Sequence, residues 1–162
     1  MQTASRFQPA HTLTRTAAPA DPFAERYGVA LPAGLRPEAG GLDWQQFLDT
    51  YCPTAGPARL GTWSAHRCGA GMWRYEATLT LGERTAAYAV TATGPVAALT
   101  WMLHESGRGV EILDFHQYRA NEGMATFVRC ERDGRRHWAA AVAADGTESA
   151  LRAVVAAANI LD

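Results

Sequence analysis

Hydrophobic and polar positions along this 162-residue chain follow three rhythms. Up to Ala20 the chain is polar, carries Pro9 and Pro19 and shows no apolar period, so residues 1–22 are expected to form a flexible N-terminal arm. Trp44, Phe47, Leu48 and Tyr51 then fall at i, i+3, i+4 and i+7, which is one apolar stripe of a helix. Asp43 stands where an N-cap belongs, and Pro53 lies beyond the far end. Just upstream, Pro32 and Pro37 predict loop or short extended chain over residues 31–37. Residues 23–60 thus read as a linker with a short helical segment.

From Gly61 the period shortens to two. Residues 62–68 and 73–81 predict strands. In the second, Trp73, Tyr75, Ala77, Leu79 and Leu81 face one way, and Arg74, Glu76, Thr78 and Thr80 the other, the pattern of a sheet with one covered face. Gly82-Glu83-Arg84 turns the chain into a third strand over 85–91. Gly94-Pro95 ends that strand and opens a helix over 96–105, which Gly107 and Gly109 close. The order then repeats: strands over 110–118, 125–132 and 136–143, with a hairpin turn at Asp133-Gly134. After Asp145-Gly146-Thr147 a last helix covers 148–160, with Leu151, Val154, Val155, Ala158 and Ile160 along most of one side. Residues 61–162 therefore predict an α+β domain of two βββα units, two helices on a mostly antiparallel sheet.

Composition narrows the chemistry. A net charge of −1 gives no electrostatic case for nucleic acid or an acidic membrane surface. No stretch approaches the roughly 20 apolar residues of a membrane span, and the N-terminus lacks an apolar signal core, so a cytoplasmic location is expected. Every basic residue is arginine, a bias of GC-rich genomes, which excludes a Schiff-base lysine, a P-loop lysine and a Ser–Lys dyad. Cys52, Cys68 and Cys130 form no CxxC pair and read as free thiols of a reducing compartment. The histidines show no HxxxH or HExxH spacing, so neither a metal nor another cofactor is expected. Arg132, Arg135 and Arg136 flank the hairpin turn as a solvated face, and Trp63, Trp73 and Trp138 fall on strands as core or dimer contacts.

Four segments carry a family resemblance: Gly94-Pro95-Val96-Ala97-Ala98-Leu99, Val110-Glu111-Ile112-Leu113-Asp114-Phe115-His116, Trp138, and Leu151-Arg152-Ala153-Val154-Val155-Ala156-Ala157-Ala158-Asn159. In this order and spacing they resemble the C-terminal regulatory domain of 2-isopropylmalate synthase, which is likewise built of two βββα units. Tyr27 to Pro32 and Trp44 to Phe47 are similar to the segment that joins that domain to the catalytic barrel, so the resemblance covers about residues 23–162. A (β/α)8 barrel needs about 250 residues, which this chain cannot hold; the expectation is a stand-alone homologue without synthase activity.

The resemblance implies a homodimer with an effector, leucine in the family, held between subunits. Backbone N–H groups of a glycine turn and a helix start would receive the ligand carboxylate. Carried onto this chain, Thr93, Gly94, Pro95, Val96 and Ala97 form the turn and helix start, and Ile112 and Phe115 line the second unit's side. The chain also departs from the family pattern. Ala92 and Thr93 replace glycine or asparagine positions, and Phe115 lacks a tyrosine hydroxyl. Arg119 stands at a small-residue position, the loop into residues 121–128 is shortened, and Asp145-Gly146 replaces an apolar contact. These changes alter pocket size and polarity, and bring Arg119, Asp145 and Gly146 into the candidate ligand set.

Three functions compete. The first is a homodimeric domain that binds a small carboxylate or amino-acid-like ligand and regulates a barrel-type synthase or pathway enzyme in trans. The alternative is a cofactor-independent isomerase, cyclase or hydrolase that has recruited the effector pocket. Asp114, His116 and Tyr118 alternate on one strand face, so all three are candidates to enter one cavity, with His116 as general acid or base. The third is a structural dimerisation module.

Overall fold

Two antiparallel meanders, each followed by a helix, form the body of the protein, as described by a computed structural model for residues 17–162. Most of the expected N-terminal arm, residues 1–16, lies outside the described residues. Three short helices come first: α1 (Pro22–Tyr27), α2 (Arg36–Ala39) and α3 (Trp44–Tyr51). The first unit comprises β1 (Ala58–Gly69), β2 (Met72–Leu81), β3 (Arg84–Ala92) and α4 (Pro95–Glu105). The second comprises β4 (Glu111–Arg119), β5 (Met124–Arg132), β6 (Arg135–Ala143) and α5 (Gly146–Ile160). The fold class is α+β, as the periodicity predicts, and the strands divide into two three-stranded sheets, β1-β2-β3 and β4-β5-β6.

Three local differences from the sequence expectation have clear causes. Residues 21 and 22, placed in the flexible arm, are tied down. Asp21 caps α1 by accepting from Phe23 N and Ala24 N at 3.1 and 2.9 Å, and its other oxygen accepts from Leu31 N at 2.9 Å. Pro37, expected to keep the chain non-helical, occupies the first turn of α2, where its missing N–H has no partner to lose. The strand expected to start after Gly61 begins at Ala58 and carries a bulge between Leu60 and Trp63. At the bulge a Cβ on Gly61 would meet Thr78 Oγ1 at 2.4 Å, while Thr62 N donates to that oxygen at 2.9 Å. Glycine lets the two strands approach there.

The two sheets differ in how they are covered. On β2, Tyr75, Ala77 and Leu79 are buried towards the helices, while Arg74 and Glu76 pair in solvent on the other face. Sheet β4-β5-β6 is covered on both faces. On β5, Thr126, Val128 and Cys130 face α5, and Ala125 and Phe127 face the N-terminal helices. This double burial is why apolar residues of β5 fall on both of its faces, with Ala125, Phe127, Val128 and Cys130 all buried. Phe23 is central to the second layer, 1% exposed, with its ring 4.8 Å from Phe127, 4.9 Å from Tyr27 and 5.7 Å from Phe47.

Between the sheets, α4 buries Ala98, Leu99, Met102 and Leu103 in one core with Ala153, Val154, Ala156 and Ala157 of α5. The two helices run the same way. Their starts lie together beside β4, and beyond their ends Arg108 pairs with Asp162. That hydrogen bond holds the Asp162 carboxyl below its usual range. The first unit is also tied to α5 by Asn159, which accepts from Ala58 N at 2.8 Å and donates to Ala58 O at 2.9 Å.

Phe23→Ala is expected to remove about 3–5 kcal/mol of stability in chemical denaturation. The loss should appear in a single transition, because α1 and sheet β4-β5-β6 share one core; a separate early transition would show that the helical segment folds by itself. Asn159→Ala is expected to cost about 2 kcal/mol, since it strands the N–H and C=O of buried Ala58. A loss below measurement error would mean that water replaces the amide.

Candidate functional site

The starts of α4 and α5 form two walls of an open cleft of about 620 Å³. Pro95 and Val96 come from α4, Phe115 and Gln117 from β4, and Asp145, Gly146, Thr147 and Ala150 from the α5 side. Residues 115 and 117 reach the cleft together because side chains two apart on a strand share a face.

Both helix starts are rich in unbonded donors. Gly94, the α4 N-cap, has an extended backbone and no capping side chain. Pro95 has no N–H, and the first ladder bond of α4 runs from Ala98 N to Gly94 O at 3.1 Å. The N–H groups of Val96 and Ala97 therefore find no partner among the described residues. At α5, Asp145 Oδ1 accepts from Glu148 N at 2.9 Å and Asp145 O from Ser149 N at 3.1 Å, which leaves the N–H groups of Gly146 and Thr147 free. The free N–H groups and the dipole of the α4 start favour an anion there, whereas the Asp145 carboxylate already answers part of the α5 start.

The cleft floor is a polar ring. Gln117 Nε2 donates to Gly146 O at 2.7 Å and to Thr126 Oγ1 at 2.9 Å. Thr126 and Ser149, both wholly buried, share a hydroxyl hydrogen bond of 2.7 Å, and Ser149 Oγ donates to Gly146 O at 3.2 Å.

Of the residues expected to bind ligand, the structure brings Pro95, Val96, Phe115, Asp145 and Gly146 together. Thr93, Gly94 and Ala97 belong to the adjoining turn and first helical turn. Ile112 packs instead against the main core, and Arg119 lies exposed at the end of β4. Gln117, Thr147 and Ala150 were not anticipated from sequence. The alternation that selects Phe115 also selects Gln117, so its signal was present.

Asp114, His116 and Tyr118 lie on the opposite face of β4. The Asp114 carboxylate pairs with Arg129 at 2.6 Å. His116 stacks on Trp138 with ring centroids 6.0 Å apart, and its Nδ1 is 3.3 Å from Tyr118 Oη. Strand alternation keeps these three together and turns them away from Phe115, so they do not enter the cleft.

No family model matches the chain. Individual proteins do. A 2-isopropylmalate synthase of Arthrobacter sp. (strain FB24) is 30% identical over 131 residues, 75% of this chain and 23% of that protein. The synthase of Pseudarthrobacter chlorophenolicus is 31% identical over 133 residues, again 75% of this chain and 23% of its own length. That of Renibacterium salmoninarum is 27% identical over 128 residues, 72% and 22%. The chain is a homologue of the 2-isopropylmalate synthase C-terminal regulatory domain. It spans less than a quarter of the length of these relatives.

In this regulatory-domain homologue the thiols stand apart from the cleft. Burial pushes the Cys52 and Cys130 thiols up to about 12, so both stay protonated near neutral pH. Cys68 is exposed on β1. A thiol-disulfide reagent at pH 8 is expected to titrate one cysteine rapidly in the folded protein and all three after denaturation. Half-buried Cys52 is expected to follow more slowly, and rapid reaction of wholly buried Cys130 in the folded state would show that the core opens on that timescale. Among the described residues no helix is long and apolar enough to cross a membrane.

Proposed function

We propose that this regulatory-domain homologue binds a small carboxylate or amino-acid-like ligand in the cleft between the starts of α4 and α5. It does so as a cytoplasmic homodimer, and its occupancy regulates a barrel-type synthase or pathway enzyme in trans. The observation that carries the reading is the set of free N–H groups on Val96, Ala97, Gly146 and Thr147 around one cleft. A ligand carboxylate satisfies donors that the fold leaves open, and Val96, Ala150 and Phe115 give its carbon chain apolar contact. Support for a second copy comes from exposed large rings: Trp101 on α4 and Phe115 on β4 are each 42% exposed. The relatives named 2-isopropylmalate synthase point to a synthase as the enzyme to be regulated.

Native mass spectrometry at micromolar concentration is expected to show a dimer; a monomer there overturns the homodimer. In a thermal-shift screen of amino acids, 2-oxo acids and dicarboxylates, a ligand at 100 times its dissociation constant should add about 2.7 kcal/mol. Val96→Asp is the companion variant. A carboxylate in the first turn of α4 suits the helix dipole, and because Val96 also packs against the main core the variant is first checked for a native circular dichroism spectrum. The new charge competes with an anionic ligand, so the ligand-induced shift should disappear. An undiminished shift in Val96→Asp would place the ligand elsewhere.

A further inference from the structure

The polar ring under the cleft has only one consistent hydrogen-bond direction. Gly146 O is a carbonyl and can only accept, so the Gln117 amide must turn its nitrogen towards it. The second Nε2 hydrogen goes to Thr126 Oγ1 at 2.9 Å. Thr126 then spends its own hydrogen on Ser149 Oγ at 2.7 Å, and Ser149 spends its hydrogen on Gly146 O at 3.2 Å. Every donor in the ring is used, and reversing any bond leaves a buried hydroxyl or amide without a partner.

One atom is left over. Gln117 Oε1 accepts from no described residue and lies at the cleft wall, where a Cβ on Gly146 would approach it to 2.7 Å. It cannot exchange places with Nε2, because an oxygen would then face the Gly146 carbonyl. The cleft therefore offers two opposite demands. The α4 start offers donors to an anion, and Gln117 offers a fixed acceptor to a donor nearby.

Resting on the ligand cleft proposed above, we infer that Gln117 is its specificity-determining residue. It selects acids that carry an N–H or O–H donor on the carbon next to the carboxylate, and rejects those that carry a carbonyl or nothing at that carbon. A 2-amino or 2-hydroxy acid gives Oε1 a hydrogen; a 2-oxo acid brings a second acceptor against it. A site built to accept a hydrogen bond rejects an analogue that cannot supply one, because its own polar atom is left unpaired.

The test is calorimetric titration of the full chain with matched acids of three to six carbons, each as its 2-amino, 2-hydroxy, 2-oxo and unsubstituted form. In the wild type the amino or hydroxy member of a binding skeleton is expected to bind about ten- to a hundredfold more tightly than the 2-oxo member. Gln117→Met keeps the length of the side chain and leaves the Thr126–Ser149–Gly146 bonds in place. It is expected to weaken the donor-bearing acids to the level of the 2-oxo acid, without weakening the latter. Equal wild-type affinities within a skeleton, or a preference that survives in Gln117→Met, overturn the inference while the cleft stands. If no acid of the panel binds the wild type, the cleft itself fails and the inference falls with it. If Gln117→Met does not fold, equal wild-type affinities still overturn the inference, and Gln117→Leu is read in its place.

Discussion

Parallel alignment of α4 and α5 is the constraint from which the rest follows. Two helices lying side by side in the same direction bring like ends of their dipoles together, each worth about half an elementary charge. At the far end the chain answers this fully. Arg108 and Arg132 pair with Asp162, Arg132 Nη2 also donates to Gly107 O, and Arg135 donates to Ile160 O. At the near end it answers only in part. Asp145 caps α5, while α4 starts with Gly94 and Pro95, which bring no charge and no capping oxygen. The result is an unanswered dipole at the α4 start, on one side of a cleft whose other side carries the Asp145 carboxylate.

Alanine makes the alignment feasible. The α5 face turned into the main core is largely alanine, with Ala153, Ala156, Ala157 and Ala158 all buried. Small side chains let this helix lie close to its sheet and to α4 together. The other face of sheet β4-β5-β6 is filled in the opposite manner, by large rings: Phe23, Phe47, Phe127 and Trp138. One sheet thus carries a thin alanine layer on the side of the cleft and a thick aromatic layer on the side of the N-terminal helices. Asn121 N, on the loop that follows β4, bonds to Tyr27 O at 3.0 Å, so α1 is fastened to the strand that supplies Phe115 and Gln117.

Much of this was legible from the residues alone. The period-two runs and the turn dipeptides Asp133-Gly134 and Gly94-Pro95 placed all six strands and both long helices to within a few residues. The capping box of Asp43 and Gln46 was readable at its Asp43 end. The separation into two sheets was not, because alternation reports which face of a strand is covered and says nothing about which strand is its neighbour. The burial of Phe23 was equally hidden: Phe23 and Tyr27 share one face of a six-residue helix, too short a stretch for a period to reveal what covers it. In the cleft, the helix-start residues followed from the glycine turn and the family resemblance. The ring of Gln117, Thr126 and Ser149 joins residues up to 32 positions apart through single hydrogen bonds, and such contacts leave no pattern in the chain.

The donors around the cleft belong to different halves of the molecule, Val96 and Ala97 to the first βββα unit and Gly146 and Thr147 to the second. Apart from the shared core, the halves are joined on the first unit's side by the Asn159 clasp to Ala58 and by Arg108 gripping Asp162. Both joints lie towards the C-terminal end of α5, so the opposite end of the seam has no clasp of its own. Under the proposed reading, an occupant touching both helix starts would supply the missing one. It acts as a removable staple, and what it changes is the resistance of the two units to shear along their seam.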